Sequence, residues 1–203
     1  MAHVGHLVNP GADLVRRGRS PSVGITVHKA TITLRITAAG QSDDHCSELI
    51  GPTEEIIHQC LGSLVFGDED DELQDAVVRL LREHGSSVWV VENGTGGLVS
   101  DWLAVADPQG EVFRGGDIDR QMQGDAEVLK QRMGDVLASG AADHVLAVGP
   151  FPKPPGRVLL GLGRAGAEVE VQQAAFAGHP DILRERCAKQ ALDRLRLALL
   201  NES

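Results

Sequence analysis

The sequence contains no tyrosine, and aromatic residues make up only 3% of its 203 residues. The core must therefore be built mainly from valine, leucine, isoleucine and alanine. Cationic residues are also few, with a net charge of −10 and a pI near 5.2. An acidic surface of this kind disfavours binding to nucleic acid and to anionic lipid. The one dense basic cluster, at 16–19, lacks interleaved aromatic residues and is predicted to be a solvated linker.

Long apolar runs are missing too, since none reaches the roughly 18 residues that a membrane span needs. The N-terminal residues also lack the pattern of a signal peptide, so we expect a cytoplasmic protein without membrane contact. Cys46, Cys60 and Cys187 are too widely spaced for a metal site or a disulfide framework. They are predicted to be free thiols, buried or half-buried in a reducing compartment. The sequence predicts neither a metal nor a cofactor.

The first third of the chain has the pattern of a small α+β module. Residues 1–22 are rich in glycine, proline and arginine and are predicted to form a lead-in, with a helical turn at 11–17. Alternating β-branched residues at 23–38 predict two strands with a turn at 28–30. The candidate inward positions of these strands are Ile25, Val27, Ile32, Leu34 and Ile36.

A helix is predicted to follow these strands at 43–61. Ser42 is its candidate N-cap, Gly62 closes it, and Pro52 either kinks it or marks its first turn. A short strand is predicted at 64–66. The helix is acidic, and no GxxG loop of the kind that clamps nucleic acid precedes it. A packing or dimerisation role is therefore predicted for this module, rather than nucleic-acid binding.

The remainder of the chain alternates helices with strands. The acidic run GDEDDE at 67–72 favours the N-terminus of a helix, while a hard-cation loop is the alternative interpretation. Helices are predicted at 72–84, 97–105, 125–139 and 180–200, and strands at 88–91, 112–113, 144–149, 157–163 and 168–176. This alternation predicts α/β layers.

The stretch LVFGDEDDELQDAVVRLLREHGSSVWVVENGTGGL, at 64–98, resembles the opening of the C-terminal domain of CinA-type proteins. In that family the corresponding turn is ESCTGG, and the domain is a nicotinamide mononucleotide amidohydrolase with a three-layer α/β/α fold. Residues 23–66 resemble the KH-like module that precedes it. The resemblance implies an α/β fold class, with the lead-in at 1–22, a small KH-like α+β module at 23–66 and the three-layer domain at 67–203. No counterpart of the family's N-terminal molybdopterin-binding-like domain is expected.

The resemblance also implies that the catalytic groups have been replaced. The family's serine nucleophile corresponds to Asn93, and the cysteine after it to Gly94. An ungapped comparison from Phe113 places Arg120 at the family's tyrosine position and Asp125 at its lysine position. An amide nitrogen is delocalised and not nucleophilic, and a chain without tyrosine cannot supply that group elsewhere.

Thr95 is the nearest hydroxyl and a weak candidate nucleophile, because it needs a base within hydrogen-bonding reach. His84, His144 and His179 are the histidines of this half, and each is predicted to be solvated or at the edge of the core. Glu92 is predicted to be a structural carboxylate. Asn-Gly also suits a tight turn with positive φ, which gives Asn93 a structural role.

Binding is the function that the turn retains in this interpretation. Amides of a glycine-rich turn at a helix N-terminus attract anions. The candidate ligand-binding residues are Glu92, Asn93, Gly94, Thr95, Gly96 and Gly97, and the expected ligand is a pyridine nucleotide or another small anion.

The sequence therefore predicts a non-catalytic CinA relative that acts as a binding or assembly module. The alternatives are an active nicotinamide mononucleotide deamidase with altered residues, and a partner subunit of a CinA paralogue. The expected protein partner is a second copy of the chain or that paralogue.

Overall fold

The computed structural model describes residues 14, 16, 18–28, 30–152, 156–175 and 180–202. Internal contacts divide the chain into two units, residues 1–65 and 66–203, which are described separately. Most of the helical turn expected at 11–17 lies outside the described residues, as does His179.

Within the described residues from 18 onward, the first unit contains a β-hairpin followed by a long helix. Strands β1 (Ser22–His28) and β2 (Thr31–Thr37) pair antiparallel, and helix α1 spans Asp43–Leu61. The Ser42 hydroxyl oxygen accepts a hydrogen bond from the His45 amide at 3.2 Å, so the predicted N-cap is confirmed. The hairpin turns at Ala30, which has a φ of 63°.

The apolar face of the hairpin is more exposed than predicted. The cross-strand pairs Ile25 with Leu34 and Val27 with Ile32 place apolar side chains opposite each other. However, Ile25 is 55%, Val27 71% and Ile32 66% exposed, so the prediction that these three point into a core is wrong. Two strands and one helix supply too little surface to bury a whole sheet face.

One further prediction for this part of the chain is wrong, and one of the two alternatives for Pro52 is excluded. Residues 62–64 form one turn of 3₁₀ helix, and Val65 donates its amide back to Gly62, so the strand expected at 64–66 does not form. Pro52 lies in the middle of α1 rather than in its first turn.

The second unit is built on one five-stranded sheet. Its helices are α2 (Leu73–Glu83), α3 (Leu98–Ala106), α4 (Ala126–Ala138) and α5 (Leu183–Leu200). Its strands are β3 (Val88–Glu92), β4 (Phe113–Ile118), β5 (His144–Val148), β6 (Arg157–Arg164) and β7 (Glu170–Ala175). The strand order is β4-β3-β5-β6-β7. Strand β3 runs parallel to β4 and β5, whereas β6 pairs antiparallel with β5 and with β7.

Alternating side chains of the central strands pack into two separate hydrophobic cores, one on each face of the sheet. Leu146 and Val148 of β5 pack with α2, α3 and α5, whereas Val145 and Ala147 pack with α4. All four side chains are fully buried, as expected for a strand with helices on both faces. The second unit is therefore a three-layer α/β/α domain, and the predicted fold class is confirmed.

The acidic run before α2 serves as a cap. Glu72 and Asp75 form a capping box, in which each side chain accepts a hydrogen bond from the backbone amide of the other residue. The interpretation of the run as a helix start is thus confirmed. Strand β4 extends to Ile118, beyond the predicted 112–113. The prediction stopped short because a strand pattern is hard to recognise across Gly115 and Gly116.

Within the described ranges, no helix combines the length and apolar character that crossing a bilayer requires. The three cysteines are unpaired, with Cys187 buried and Cys46 half-buried. Cys60 is exposed, contrary to the prediction for it. Burial raises the pKa of Cys187 to about 11, so this thiol stays protonated and unreactive at neutral pH.

Candidate functional site

The candidate site lies where β3 ends and α3 begins. Glu92, the last residue of β3, is fully buried. Its carboxylate accepts hydrogen bonds from the hydroxyls of Thr95 at 2.6 Å and Ser100 at 2.7 Å. It also accepts from the backbone amides of Val99 at 3.0 Å and Ser100 at 2.9 Å, which belong to the first turn of α3. Glu92 thus supplies the negative charge that a helix N-terminus attracts.

Asn93 ties the turn to the neighbouring strands. Its backbone amide donates to Val148 O at 2.9 Å, and its side-chain amide donates to Asp119 O, just beyond β4. The positive φ angles of this turn occur at Gly96 (62°) and Gly97 (97°). The expectation that Asn93 and Gly94 adopt positive φ is therefore wrong.

Gly94 is required by a close approach rather than by its backbone angles. A Cβ atom at this position would lie less than 3.0 Å from Cγ, Cδ1 and Cε1 of Phe151. Phe151 belongs to the proline-containing loop after β5, and its ring fills the space that a side chain at position 94 would need. The family's cysteine has no room here.

Thr95 is fully buried, and both of its polar oxygens are engaged. Its hydroxyl donates to Glu92 at 2.6 Å. Its carbonyl oxygen accepts from the Arg184 guanidinium, at 3.1 Å from Nε and 2.7 Å from Nη2. Arg184 therefore connects the start of α5 to the turn.

The two remaining positions that were compared with the family's catalytic residues lie beyond β4. Arg120 is exposed, in the turn that follows the strand. Asp125 is the N-cap of α4, and its Oδ1 atom accepts from the amides of Glu127 at 2.8 Å and Val128 at 3.2 Å. A carboxylate used as a helix cap cannot take the part of a lysine.

The histidines considered as bases for Thr95 are remote from it where they are described. His144 begins β5 and pairs with Val88 at the start of β3, whereas Glu92 and the turn follow the other end of that strand. His84 is the C-cap of α2. His144 is only 3% exposed, so the prediction of a solvated or edge position is wrong for it.

Three contacts of the site were not predicted from the sequence. Asp119 follows β4 as Asn93 follows β3, and the ends of neighbouring parallel strands share one edge of the sheet. A correct length for β4 would have placed Asp119 beside Asn93. Phe151 follows β5 at the same edge. Arg184 carries no local signal, because its contact depends on how α5 packs.

Burial of His144 predicts a pH dependence of stability. Burial lowers the pKa of His144 below its ordinary value of 6.5, Glu202 and Asp143 oppose that shift, and Arg164 and His84 support it. A histidine whose pKa is lower in the folded than in the unfolded protein favours the folded state in its neutral form. The contribution of His144 to stability is therefore complete above pH 6.5 and is lost as the pH falls below that value. We expect a loss of up to about 1.4 kcal/mol per pH unit in that window.

Urea unfolding between neutral and mildly acidic pH tests this expectation. Both tryptophans, Trp89 and Trp102, lie in the second unit, so their fluorescence follows the unit that holds His144. His144→Gln should flatten the pH profile, whereas replacing the exposed His58 should not. A profile that is equally steep in the His144→Gln protein would contradict the assignment.

The fold and the site together define a class of protein: a chain with a three-layer α/β/α domain in which a strand enters a helix through a glycine-rich turn. Residues 12–67 match the family model described as the damage-inducible protein CinA KH domain. A CinA-like protein of Synechococcus sp. (strain CC9902) is 31% identical over 91% of this chain and 50% of its own length. A CinA-like protein of Prochlorococcus marinus (strain MIT 9313) is 28% identical over 95% of this chain and 51% of its own length. The chain belongs to the CinA family, as predicted, and spans about half the length of these curated relatives.

Solved structures of the CinA superfamily share the fold. A superfamily protein from Klebsiella pneumoniae matches with a TM-score of 0.55 at 19% identity, covering 64% of this chain and 96% of that one. One from Escherichia coli matches with a TM-score of 0.51 at 16% identity, covering 69% and 98%. At these identities the likeness establishes the architecture alone.

Proposed function

We propose that this chain is a non-catalytic member of the CinA family that acts as an assembly or binding module. The observation that carries the proposal is the side chain at position 93 of the turn and the hydrogen bond that it makes. Asn93 stands at the position of the family's nucleophile and uses its side-chain amide to hold Asp119 O. Amide hydrolysis requires an activated nucleophile and a base, and this arrangement supplies neither at position 93.

The alternative of an active deamidase has one observation in its favour, the hydrogen bond from Thr95 to Glu92 at 2.6 Å. A hydroxyl donating to a carboxylate is the geometry of a nucleophile with its base. Both residues are fully buried, however, and Glu92 also accepts from the amides and hydroxyl of the first turn of α3. These bonds hold the carboxylate to the start of the helix, and a buried hydroxyl cannot reach a substrate.

The same contacts disfavour anion binding at the turn. Anions bind helix N-termini through free amides, but the amides of Val99 and Ser100 are already bound to Glu92. The Gly96 amide donates to Asn93 O at 3.0 Å. A pyridine nucleotide would therefore compete with an internal carboxylate. A second copy of the chain or a CinA paralogue is the partner that we propose instead.

The test is incubation of the purified protein with nicotinamide mononucleotide, with nicotinic acid mononucleotide followed by chromatography. We expect no product from the unaltered protein. We also expect none from Asn93→Ser, because Arg120 and Asp125 still occupy the positions of the family's tyrosine and lysine. A CinA relative that carries the serine provides the positive control. Product from the unaltered protein would overturn the proposal, and Thr95→Val would then test the substitute nucleophile.

Sedimentation velocity, alone and with a CinA paralogue, tests the assembly role. A chain that stays monomeric in both experiments would remove that part of the proposal, whatever the outcome of the assay.

A further inference from the structure

A second concave site lies on the other face of the sheet, beside α4. Helix α4 packs on β5, β6 and β7, and a groove of about 380 Å³ opens along it toward β3 and β4. We name it the Trp89 groove. The polar and aromatic residues that line it are Trp89, Asp117, Arg132, Asp135 and Ser139. The groove is shallow and largely open to solvent.

The floor of the Trp89 groove is a tryptophan held against the edge strand. Gly115 of β4 has a φ of 132°, which L side chains rarely adopt. A Cβ atom there would lie 3.1 and 3.2 Å from Cζ3 and Cη2 of Trp89, so the absence of a side chain gives the indole its place. Trp89 remains half-buried on this face. A restrained aromatic ring in a groove can bind an organic cation through its π face.

The charges of the Trp89 groove are mixed, with negative charge in excess. The Arg132 guanidinium lies 3.2 Å from Asp119 and 3.8 Å from Asp117. Asp135 adds a carboxylate that no cation pairs with among the described residues, although it accepts a hydrogen bond from Gln131 at 2.8 Å. Among the lining residues, two carboxylates against one guanidinium leave a net negative charge beside the indole, which also favours a cation.

Two donors of the lining residues have no partner within the described part of the chain. These are Nε1 of Trp89 and Nε of Arg132, and both atoms are buried. A buried donor without an acceptor destabilises the fold. A ligand that brings an acceptor oxygen to these two atoms would recover part of that cost.

We propose that the Trp89 groove binds a small zwitterion, in which an organic cation is joined to a carboxylate. The cation lies over the Trp89 ring and beside Asp117 and Asp135. The carboxylate accepts from Trp89 Nε1 and Arg132 Nε after a small displacement of these side chains. The residues that line the groove do not include those of the turn at Asn93, so this proposal stands or fails independently of the proposed lack of deamidase activity.

The indole N–H resonances of the protein test this proposal directly. The chain has two tryptophans, and Trp102 packs into the core on the opposite face of the sheet, so it is an internal control. A Trp102→Phe protein assigns the two signals. The probes are glycine betaine, choline and acetate at constant ionic strength, which present the zwitterion, the cation alone and the carboxylate alone.

We expect glycine betaine to shift the Trp89 signal saturably, with an affinity about tenfold higher than choline or acetate, and to leave Trp102 unchanged. Asp135→Asn should weaken glycine betaine about two- to fivefold, because Asp135 is an exposed carboxylate. Glu168→Gln removes the same charge from an exposed turn and should have no effect.

Three outcomes would overturn the proposal. The first is no saturable shift of Trp89 up to about 50 mM glycine betaine, where a binding free energy near 2 kcal/mol would still be detected. The second is equal affinity for choline and glycine betaine, since the two unpartnered donors would then contribute nothing. The third is a parallel shift of both indoles, which indicates nonspecific binding.

Discussion

Replacing Glu92 with alanine is expected to lower the free energy of unfolding of the second unit by about 3–5 kcal/mol. The carboxylate is fully buried and accepts from Thr95, Val99 and Ser100. Its removal leaves two hydroxyls and two amides without their acceptor in a largely buried site. Since whole domains have stabilities of about 5–15 kcal/mol, the loss is a large share of the total. Urea unfolding followed by tryptophan fluorescence measures it.

Two further variants separate the charge of Glu92 from its volume. Glu92→Gln keeps the shape but turns one acceptor oxygen into a donor, so it should cost less than alanine and still be clearly destabilising. Glu168→Ala removes an exposed carboxylate and should change stability by no more than about 0.5 kcal/mol. A loss below about 1 kcal/mol for Glu92→Ala would show that the network is not structural, and would reopen a functional role for the Thr95–Glu92 pair.

Gly94→Ala is expected to destabilise the second unit by about 1–3 kcal/mol, because the new Cβ overlaps the ring of Phe151. Gly134→Ala is the matched control, since a Cβ there meets nothing within 4 Å and the residue lies inside α4. Alanine in a helix interior should stabilise by up to about 1 kcal/mol. The two glycine replacements therefore have opposite expected signs, and denaturant midpoints distinguish them.

A double-mutant cycle with Phe151→Ala tests the cause of the Gly94→Ala effect. If the ring is responsible, Gly94→Ala should cost much less in the Phe151→Ala background, with a coupling of about 1 kcal/mol or more. Equal costs in both backgrounds would indicate that the backbone at position 94, rather than Phe151, requires glycine.

The architecture was predictable because its strongest signals are local. The period of apolar residues predicted α4 and α5 within two or three residues, and Ser42 marked the start of α1. The strand at 64–66 failed because three apolar residues do not specify a hydrogen-bonded neighbour. The inward positions of the hairpin failed for a related reason: alternation gives two faces, but it does not say whether the apolar face has a partner.

The candidate site was predictable in its members but not in their contacts. The turn at Glu92 to Gly97 was recognised from a short motif and its resemblance to a family. Its hydrogen bonds to Asp119 and Arg184 join residues that are far apart in sequence. Likewise, nothing in the sequence near Gly94 indicates that the ring of Phe151 fills the adjacent space.

The buried carboxylate at the end of β3 has a consequence for how such motifs persist. Because Glu92 and Thr95 stabilise the start of α3, selection for folding alone would retain them in any relative that had lost the chemistry. A signature of glutamate, threonine and paired glycines can therefore outlive the activity that it marks in a family. In surveys of related sequences, the residue directly after the glutamate, Asn93 in this chain, is the informative one, since Glu92 and Thr95 are held in place by stability.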